Sequence, residues 1–298
     1  MNPAPFYTKV RRHNTMEQKI KRGGVKITKA SGEQQTYSRN KLCNSLKAAG
    51  APKTLVNRVC RMVEKEIRPG MSTEEIARKT TKYLRKENPV LAAKYSLKQG
   101  IMELGPAGFL FEQYVAAILR EYGYTAKTNK MMKGESGIFH EIDILASTKD
   151  THYIIEAKYH NRRGIKTDVK VAMYTFARLL DIESYQKKRE KEKHRAWLFT
   201  NTKFTKSAIQ YAAYKSIKLT GWKYPKKESL EKLIEGKTLY PVTVLPSVNQ
   251  YAKGRFALHN LYFAKDLVHF TSKHFQRMFG IRQKIAENIQ KEAMALCE

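Results

Sequence analysis

The chain has 298 residues, enough for about two domains, and 42% of them are hydrophobic, an ordinary fraction for a folded protein. Lys and Arg number 57 against 27 Asp and Glu, a formal net charge of +30, which excludes a neutral surface and points to a polyanionic partner, because each phosphate neutralised releases condensed counterions. No run approaches the roughly 18 apolar residues of a membrane helix, and the dispersed cysteines Cys43, Cys60 and Cys297 make neither a metal nor a disulfide pattern, so a reducing, cytoplasmic setting is expected.

Residues 1–24 carry Arg11, Arg12, Lys19, Lys21 and Arg22 without apolar periodicity and read as a basic flexible arm rather than a secretory signal. A mostly helical domain is expected over 25–105. Two short strands, Val25-Lys26-Ile27-Thr28 and Gln35-Thr36-Tyr37, flank a Ser31-Gly32 turn. Ser38 caps a helix that stops at Gly50. A second helix spaces Leu55, Val59, Met62, Val63 and Ile67 on one face and ends at Pro69-Gly70. Ser72 and Glu75 form a capping box opening a third. A fourth runs from about Pro89 to Leu104, and Gly105-Pro106 marks the domain boundary.

From 106 to 247 the pattern turns to mixed α/β. A helix carries Phe109, Phe111, Tyr114, Val115, Ile118 and Leu119 and ends at Gly123-Tyr124; Lys130 to Gly137 reads as a loop. Strands are expected over Glu141–Ala146 and Tyr153–Lys158, a helix over Thr167–Tyr185, and a solvated charge run from Lys187 to Arg195. Ala196 to Thr200 reads as a buried strand, followed by a helix over 205–214 and a short strand over Ile217–Thr220. Strand and helix alternation implies an α/β core with helices on its faces. Residues 248–298 read as a basic helical segment in which Leu258, Leu261, Phe263, Leu267 and Phe270 are spaced to pack, with Gly280-Ile281 at a helix-turn-helix-like turn.

The chemistry concentrates on two adjacent strands, one holding Asp143 and the next Glu156-Ala157-Lys158. Side chains alternate along a strand, so Glu156 and Lys158 point the same way. Two carboxylates at a strand end suit Mg²⁺, a hard cation that takes carboxylate and water oxygens; Asp143 and Glu156 are its expected ligands. Lys158 can stabilise charge developing on a phosphate. Glu112, in an otherwise apolar helix, is a third acid within reach. His140, Glu141, His160, Arg162, Arg163, Tyr174 and Arg178 are weaker candidates for metal, substrate or backbone contacts.

Gly108-Phe109-Leu110-Phe111-Glu112, Gly123-Tyr124, His140-Glu141-Ile142-Asp143, Glu156-Ala157-Lys158 and Phe199-Thr200-Asn201-Thr202-Lys203-Phe204-Thr205 together resemble the catalytic domain of Mrr-type restriction endonucleases, of the PD-(D/E)xK superfamily. The resemblance implies a restriction-endonuclease-like mixed sheet and Mg²⁺-dependent DNA cleavage by Asp143, Glu156 and Lys158, with Glu112 as the helical acid.

Val25 to Gly32, Tyr37-Ser38 to Lys41-Leu42, Ser72-Thr73 and Leu91-Ala92-Ala93 resemble the ATP-cone, a nucleotide-sensing module. The resemblance implies that Lys29 and Lys41 neutralise phosphates of ATP or dATP and that Thr73 hydrogen-bonds the nucleotide. The hairpin departs from the family, reading Lys29-Ala30-Ser31-Gly32 where Lys-Arg-Asp-Gly is usual.

The resulting expectation is an α/β nuclease core preceded by an ATP-cone domain with a small β-hairpin and followed by C-terminal helices. Its partners are DNA and a nucleotide that sets the oligomeric state, a homo-oligomer of dimer size or larger, in a role suited to defence against foreign DNA. The alternatives from sequence are a non-catalytic, nucleic-acid-binding regulator and a nuclease acting on RNA or DNA junctions.

Overall fold

A computed structural model describes residues 24–105, 109–162, 164–186 and 194–297. The basic arm, Arg163, Gly108 and most of the Lys187–Arg195 charge run lie outside the described residues. The chain divides into two compact units, Met1–Glu87 and Asn88–Glu298.

In the first unit, β1 (Lys26–Thr28) and β2 (Gln34–Thr36) pair antiparallel, with Ile27 opposite Gln35. The turn between them passes through Gly32 at φ 85, a left-handed conformation that glycine adopts without a Cβ penalty. Helix α1 (Arg39–Ala48) starts at Ser38, whose hydroxyl accepts the Lys41 amide. It is followed by α2 (Lys53–Glu64) and α3 (Thr73–Glu87). The Ser72 hydroxyl accepts the Glu75 amide at 3.0 Å, which forms the N-cap half of the expected capping box. Leu42, Leu46, Val56, Val59, Val63, Ile67, Ile76 and Leu84 are buried, the helical spacings that the sequence displays.

The second unit begins with α4 (Pro89–Met102), capped by Asn88, and α5 (Phe109–Glu121). Then come β3 (Thr125–Lys133), β4 (Phe139–Ser147), β5 (His152–Lys158), β6 (Lys166–Thr167), α6 (Val169–Gln186), β7 (His194–Thr200), β8 (Lys203–Phe204), α7 (Lys206–Tyr214) and β9 (Lys218–Thr220). The chain closes with α8 (Leu230–Gly236), α9 (Gln250–Leu258), α10 (Ser272–Phe279) and α11 (Gln283–Cys297). The main sheet has the order β3-β4-β5-β7-β9. Its first three strands are antiparallel, and β5, β7 and β9 run parallel, so the sheet is mixed as expected.

Strand alternation splits the core in two. Ile154, Ala196, Leu198 and Leu219 face α6 and α7. Ile155, Ala157, Trp197 and Phe199 face the other way, onto a continuous core that includes Phe111, Tyr114 and Ile118 of α5 and Phe256, Phe275, Phe279 and Ile289 of the C-terminal helices. The C-terminal segment thus forms one wall of the nuclease-like core. Its aromatics pack edge to face, Phe256 on Phe279 at 5.2 Å and Phe275 on Phe279 at 5.6 Å.

The fourth helix of the N-terminal pattern, α4, packs against residues 242–244 and α11, so by contacts it groups with the second unit. Gly100 explains the closeness: Thr243 Oγ1 donates to its carbonyl at 2.7 Å, and a Cβ there would lie 2.6 Å from Val244 Cγ1. Lys130 to Gly137 is a loop only at its end, because β3 continues to Lys133; as an edge strand bearing Lys127, Lys130 and Lys133 it lacks the apolar alternation that marks a strand. Leu258, expected to pack, is 74% exposed at the end of α9.

Candidate active site

The site forms where two paired strands part. Strands β4 and β5 pair from Ser147–His152 to Ile144–Ile155 and no further. On the other side the β3–β4 ladder passes over Asn129 and Asp143, with Asn129 at φ 52. The register is the same on both sides of this break, so no residue is inserted, yet β4 turns over there: Ile142 joins the α6 face and Ile144 the α5 face. Asp143 sits at the changeover. Its Oδ2 accepts the Ala157 amide at 2.8 Å, taking the donor that β4's backbone leaves unpaired. Asp143 is thereby locked beside Glu156 and Lys158, the two residues flanking Ala157 on β5. Glu156 is half-buried and Lys158 exposed.

Glu112, in the first turn of α5, completes an acid cluster. Burial, then the charges of Asp143, Glu141 and Glu156, push its carboxyl up to about 7. Burial and Glu156 push Asp143 up to about 6, against the Ala157 amide and Arg178, which lower it. Such a cluster has a deficit of positive charge. Arg178 of α6 answers part of it: Nη1 donates to Glu156 Oε2 at 2.8 Å, with side chains 8% and 16% exposed. Its guanidinium lies 4.5 Å from the Tyr174 ring centroid. Burial opposes the Arg178 charge, but the Tyr174 contact and Glu156 together hold its pKa above the ordinary value.

The donor set fits a hard divalent cation. Asp143 and Glu156 offer carboxylate oxygens in a cluster where burial, then repulsion among the acids, raises Glu112 and Asp143. Among the described residues no three His, Cys, Asp or Glu side chains form a ready cage.

The end of β5 is held by a residue to which the sequence reading gave no role. Asn201, fully buried, accepts the His160 amide at 2.9 Å and donates to the His160 carbonyl at 2.8 Å. His160 Nε2 meets Thr167 Oγ1 at 3.0 Å, and Thr167 donates to Thr200 Oγ1 at 3.0 Å. Within the Thr200-Asn201-Thr202 segment, Asn201 and Thr200 therefore fix the backbone that follows Lys158. Of the weaker candidates, His140 bonds Asp181 Oδ2 at 2.7 Å and so braces β4 on α6. Arg178 is committed to Glu156, while Glu141 and Arg162 are exposed.

In the first unit the three expected nucleotide residues gather around the hairpin. Thr28 of β1 bridges Ser72, and its amide donates to the Met71 carbonyl at 3.0 Å, which brings Lys29 near Thr73 at the start of α3. Lys41 Nζ donates to Gln35 Oε1 of β2 at 3.2 Å, and Lys29 pairs with Glu33 at 2.8 Å.

A mixed sheet forked around an aspartate, with Glu-Ala-Lys on the neighbouring strand, defines a restriction-endonuclease-like nuclease domain. The comparisons agree: residues 107–223 match the restriction endonuclease catalytic family, 25–99 the ATP cone domain and 240–297 the C-terminal domain described as AF1548-like. A 182-residue stretch is 38% identical to an uncharacterized protein of Archaeoglobus fulgidus, spanning 60% of this chain and 97% of that protein. The crystal structure of the protein of unknown function AF1548 is similar with a TM-score of 0.55 and 36% identity, over 64% of this chain and 98% of that one. The chain belongs to the family of this archaeal protein, and it joins an ATP-cone domain to an Mrr-type restriction endonuclease domain, in that order. Among the described residues no helix is long and apolar enough to cross a membrane.

Proposed function

We propose that the protein is an Mg²⁺-dependent endonuclease that hydrolyses DNA phosphodiester bonds, with ATP or dATP bound to its first unit as regulator. The observation that carries this reading is the fork itself, which gathers Asp143, Glu156 and Glu112 and sets Lys158 beside them, on a chain of net charge +30. Asp143 and Glu156 would hold the cation. When bound, Mg²⁺ supplies a Lewis acid that acidifies water and offsets charge on the phosphate. Lys158 donates to a phosphate oxygen, and its exposure leaves the ammonium free to meet the backbone of a large substrate. Glu112, with its carboxyl near 7, takes up or releases a proton at neutral pH. Arg178 holds Glu156 in place.

Lys29, Lys41 and Thr73 bind the nucleotide, whose binding sets the association of chains, a homodimer or larger, and thereby gates cleavage. A nuclease so gated suits defence against foreign DNA inside the cell. Isothermal calorimetry tests the metal site: Mg²⁺ binds the wild type and binds Asp143→Ala at least about tenfold more weakly. Light scattering across an ATP or dATP titration tests the gate, and an unchanged mass rejects it.

The Arg178–Glu156 pair favours a second reading, a non-catalytic DNA-binding regulator in which arginine permanently takes the cation's place. Absence of any Mg²⁺ heat from the wild type selects it.

A further inference from the structure

The β3–β4 hairpin projects beyond the fork with side chains that the fold does not use. Met131, Ile138 and Phe139 are 60%, 59% and 61% exposed, three large apolar groups within one short ribbon. Surfaces of soluble proteins seldom cluster such groups without a partner. The ribbon is also rigidly held. Its tip closes through Gly134 and Gly137, and Asp181 of α6 grips it: the Ser136 amide donates to Oδ1 at 2.9 Å, the Ser136 hydroxyl to Oδ2 at 2.6 Å, and the Glu135 amide to the Asp181 carbonyl at 3.0 Å. A Cβ on Gly134 would collide with the Asp181 carboxylate, so the grip requires glycine. An apolar tip held this firmly is preorganised for contact.

Register fixes the direction it faces. Met132 and His140 are cross-strand partners turned toward α6, Met132 into its core and His140 onto Asp181. The alternate pair Met131 with Glu141 faces away from α6, as do the backbone positions of Lys133 and Phe139, although the long Lys133 side chain lies over the Phe139 ring at 5.9 Å and over the Tyr185 ring of α6 at 5.5 Å. Asp143 follows Glu141 at the point where β4 turns over. Phe139 precedes Asp143 by four residues, about 13 Å of strand at ~3.3 Å per residue. That is about the width of the DNA major groove, ~12 Å, which admits a two-stranded ribbon. The edge strand supplies the charge: β3 carries Lys127, Lys130 and Lys133 and no acid, and none of them is in an ion pair among the described residues. Three lysines along one edge also oppose pairing with the same edge of a second copy.

We propose that the β3–β4 hairpin is a groove-reading ribbon for duplex DNA, with Lys130 and Lys133 on the phosphates and Ile138 and Phe139 against base edges, so that it selects where the adjoining site cuts. The inference rests on the nuclease reading. Its test uses the full chain. Binding of a fluorescent duplex is followed by anisotropy over a range of salt in an Asp143→Ala background with EDTA. Lys130→Gln/Lys133→Gln should flatten the slope of log K against log salt by about 2 and weaken binding about tenfold at ~0.1 M salt. Ile138→Ser/Phe139→Ser, made in the otherwise wild-type chain with Mg²⁺, should redistribute the cleavage positions on a sequenced plasmid. All four side chains are exposed, and circular dichroism verifies the folds; should the apolar pair misfold, the lysine pair decides alone. If the wild type cuts DNA and both variants bind and cut as it does, the inference falls and the nuclease reading stands. If the variants leave DNA binding intact but change the mass by light scattering, the ribbon is a contact between copies and the inference falls. If the wild type neither binds nor cuts duplex, both fall together.

Discussion

Replacing Arg178 with alanine removes the guanidinium that answers Glu156. Breaking a fully buried pair by deleting one partner costs about 3–5 kcal/mol, because the remaining charge stays desolvated. Here Glu156 is 16% exposed, against 8% for Arg178, and opens toward the site, so water relieves part of the cost. A loss of about 2–3 kcal/mol follows, including the stacking on Tyr174. For a unit of this size that lowers the melting temperature by about 5–10 °C. The loss should be largest in EDTA and smaller in Mg²⁺, since a cation held by Asp143 and Glu156 supplies the missing charge. Scanning calorimetry of wild type and Arg178→Ala in both buffers measures the difference of differences. An Arg178→Ala protein that melts with the wild type in EDTA refutes the picture of an electrostatically starved cluster. Equal losses in EDTA and Mg²⁺ refute the link between Arg178 and the cation.

Three further outcomes are expected. Glu112 and Asp143, raised to about 7 and about 6 from ordinary values of 4.5 and 3.8, bind more protons folded than unfolded between about pH 4 and 7. Their contribution to stability in EDTA is present at the acid end of that window and lost as pH rises through 6 to 7; Mg²⁺ affinity rises over the same interval, and calorimetry in two buffers of different ionisation enthalpy should register proton release near pH 6.5. Phe279→Ala empties a fully buried site shared by Phe256, Phe270 and Phe275 and should cost about 3–5 kcal/mol in the transition that also melts the sheet; a separate C-terminal transition would contradict the common core. Lys29→Ala and Lys41→Ala should each weaken a fluorescent ATP analogue about tenfold or more, while equal affinities would remove these lysines from the nucleotide site.

Strong local signals made much of this legible in the sequence. Ser38, Ser72 and the Gly50 and Pro69-Gly70 stops place the first three helices to within a few residues, because caps and breakers act locally. Asp143 and Glu-Ala-Lys were visible as chemistry on adjacent strands, and two-residue alternation gave Glu156 and Lys158 a common side. The break in the ladder that leaves Asp143 at the fork lies opposite Asn129 on the neighbouring strand, a juxtaposition across the sheet that no local pattern marks. Arg178 and Asn201 act across 22 and 41 residues of chain, distances that periodicity does not span. The end of edge strand β3, Lys130 to Lys133, has the look of a loop in the sequence because lysines replace the usual alternation. The assignment of α4 to the second unit turned on Gly100 meeting Val244, a contact between segments far apart in sequence.

The most direct measurement is cleavage of supercoiled plasmid and linear duplex by the full chain with Mg²⁺ or EDTA, beside Asp143→Ala and Lys158→Ala, each with and without ATP and dATP. The account predicts Mg²⁺-dependent nicking or linearisation by the wild type, abolished by EDTA and by Asp143→Ala, reduced at least about a hundredfold by Lys158→Ala, and altered by nucleotide. Salt-sensitive DNA binding by a wild type that cuts nothing under any of these conditions would contradict it.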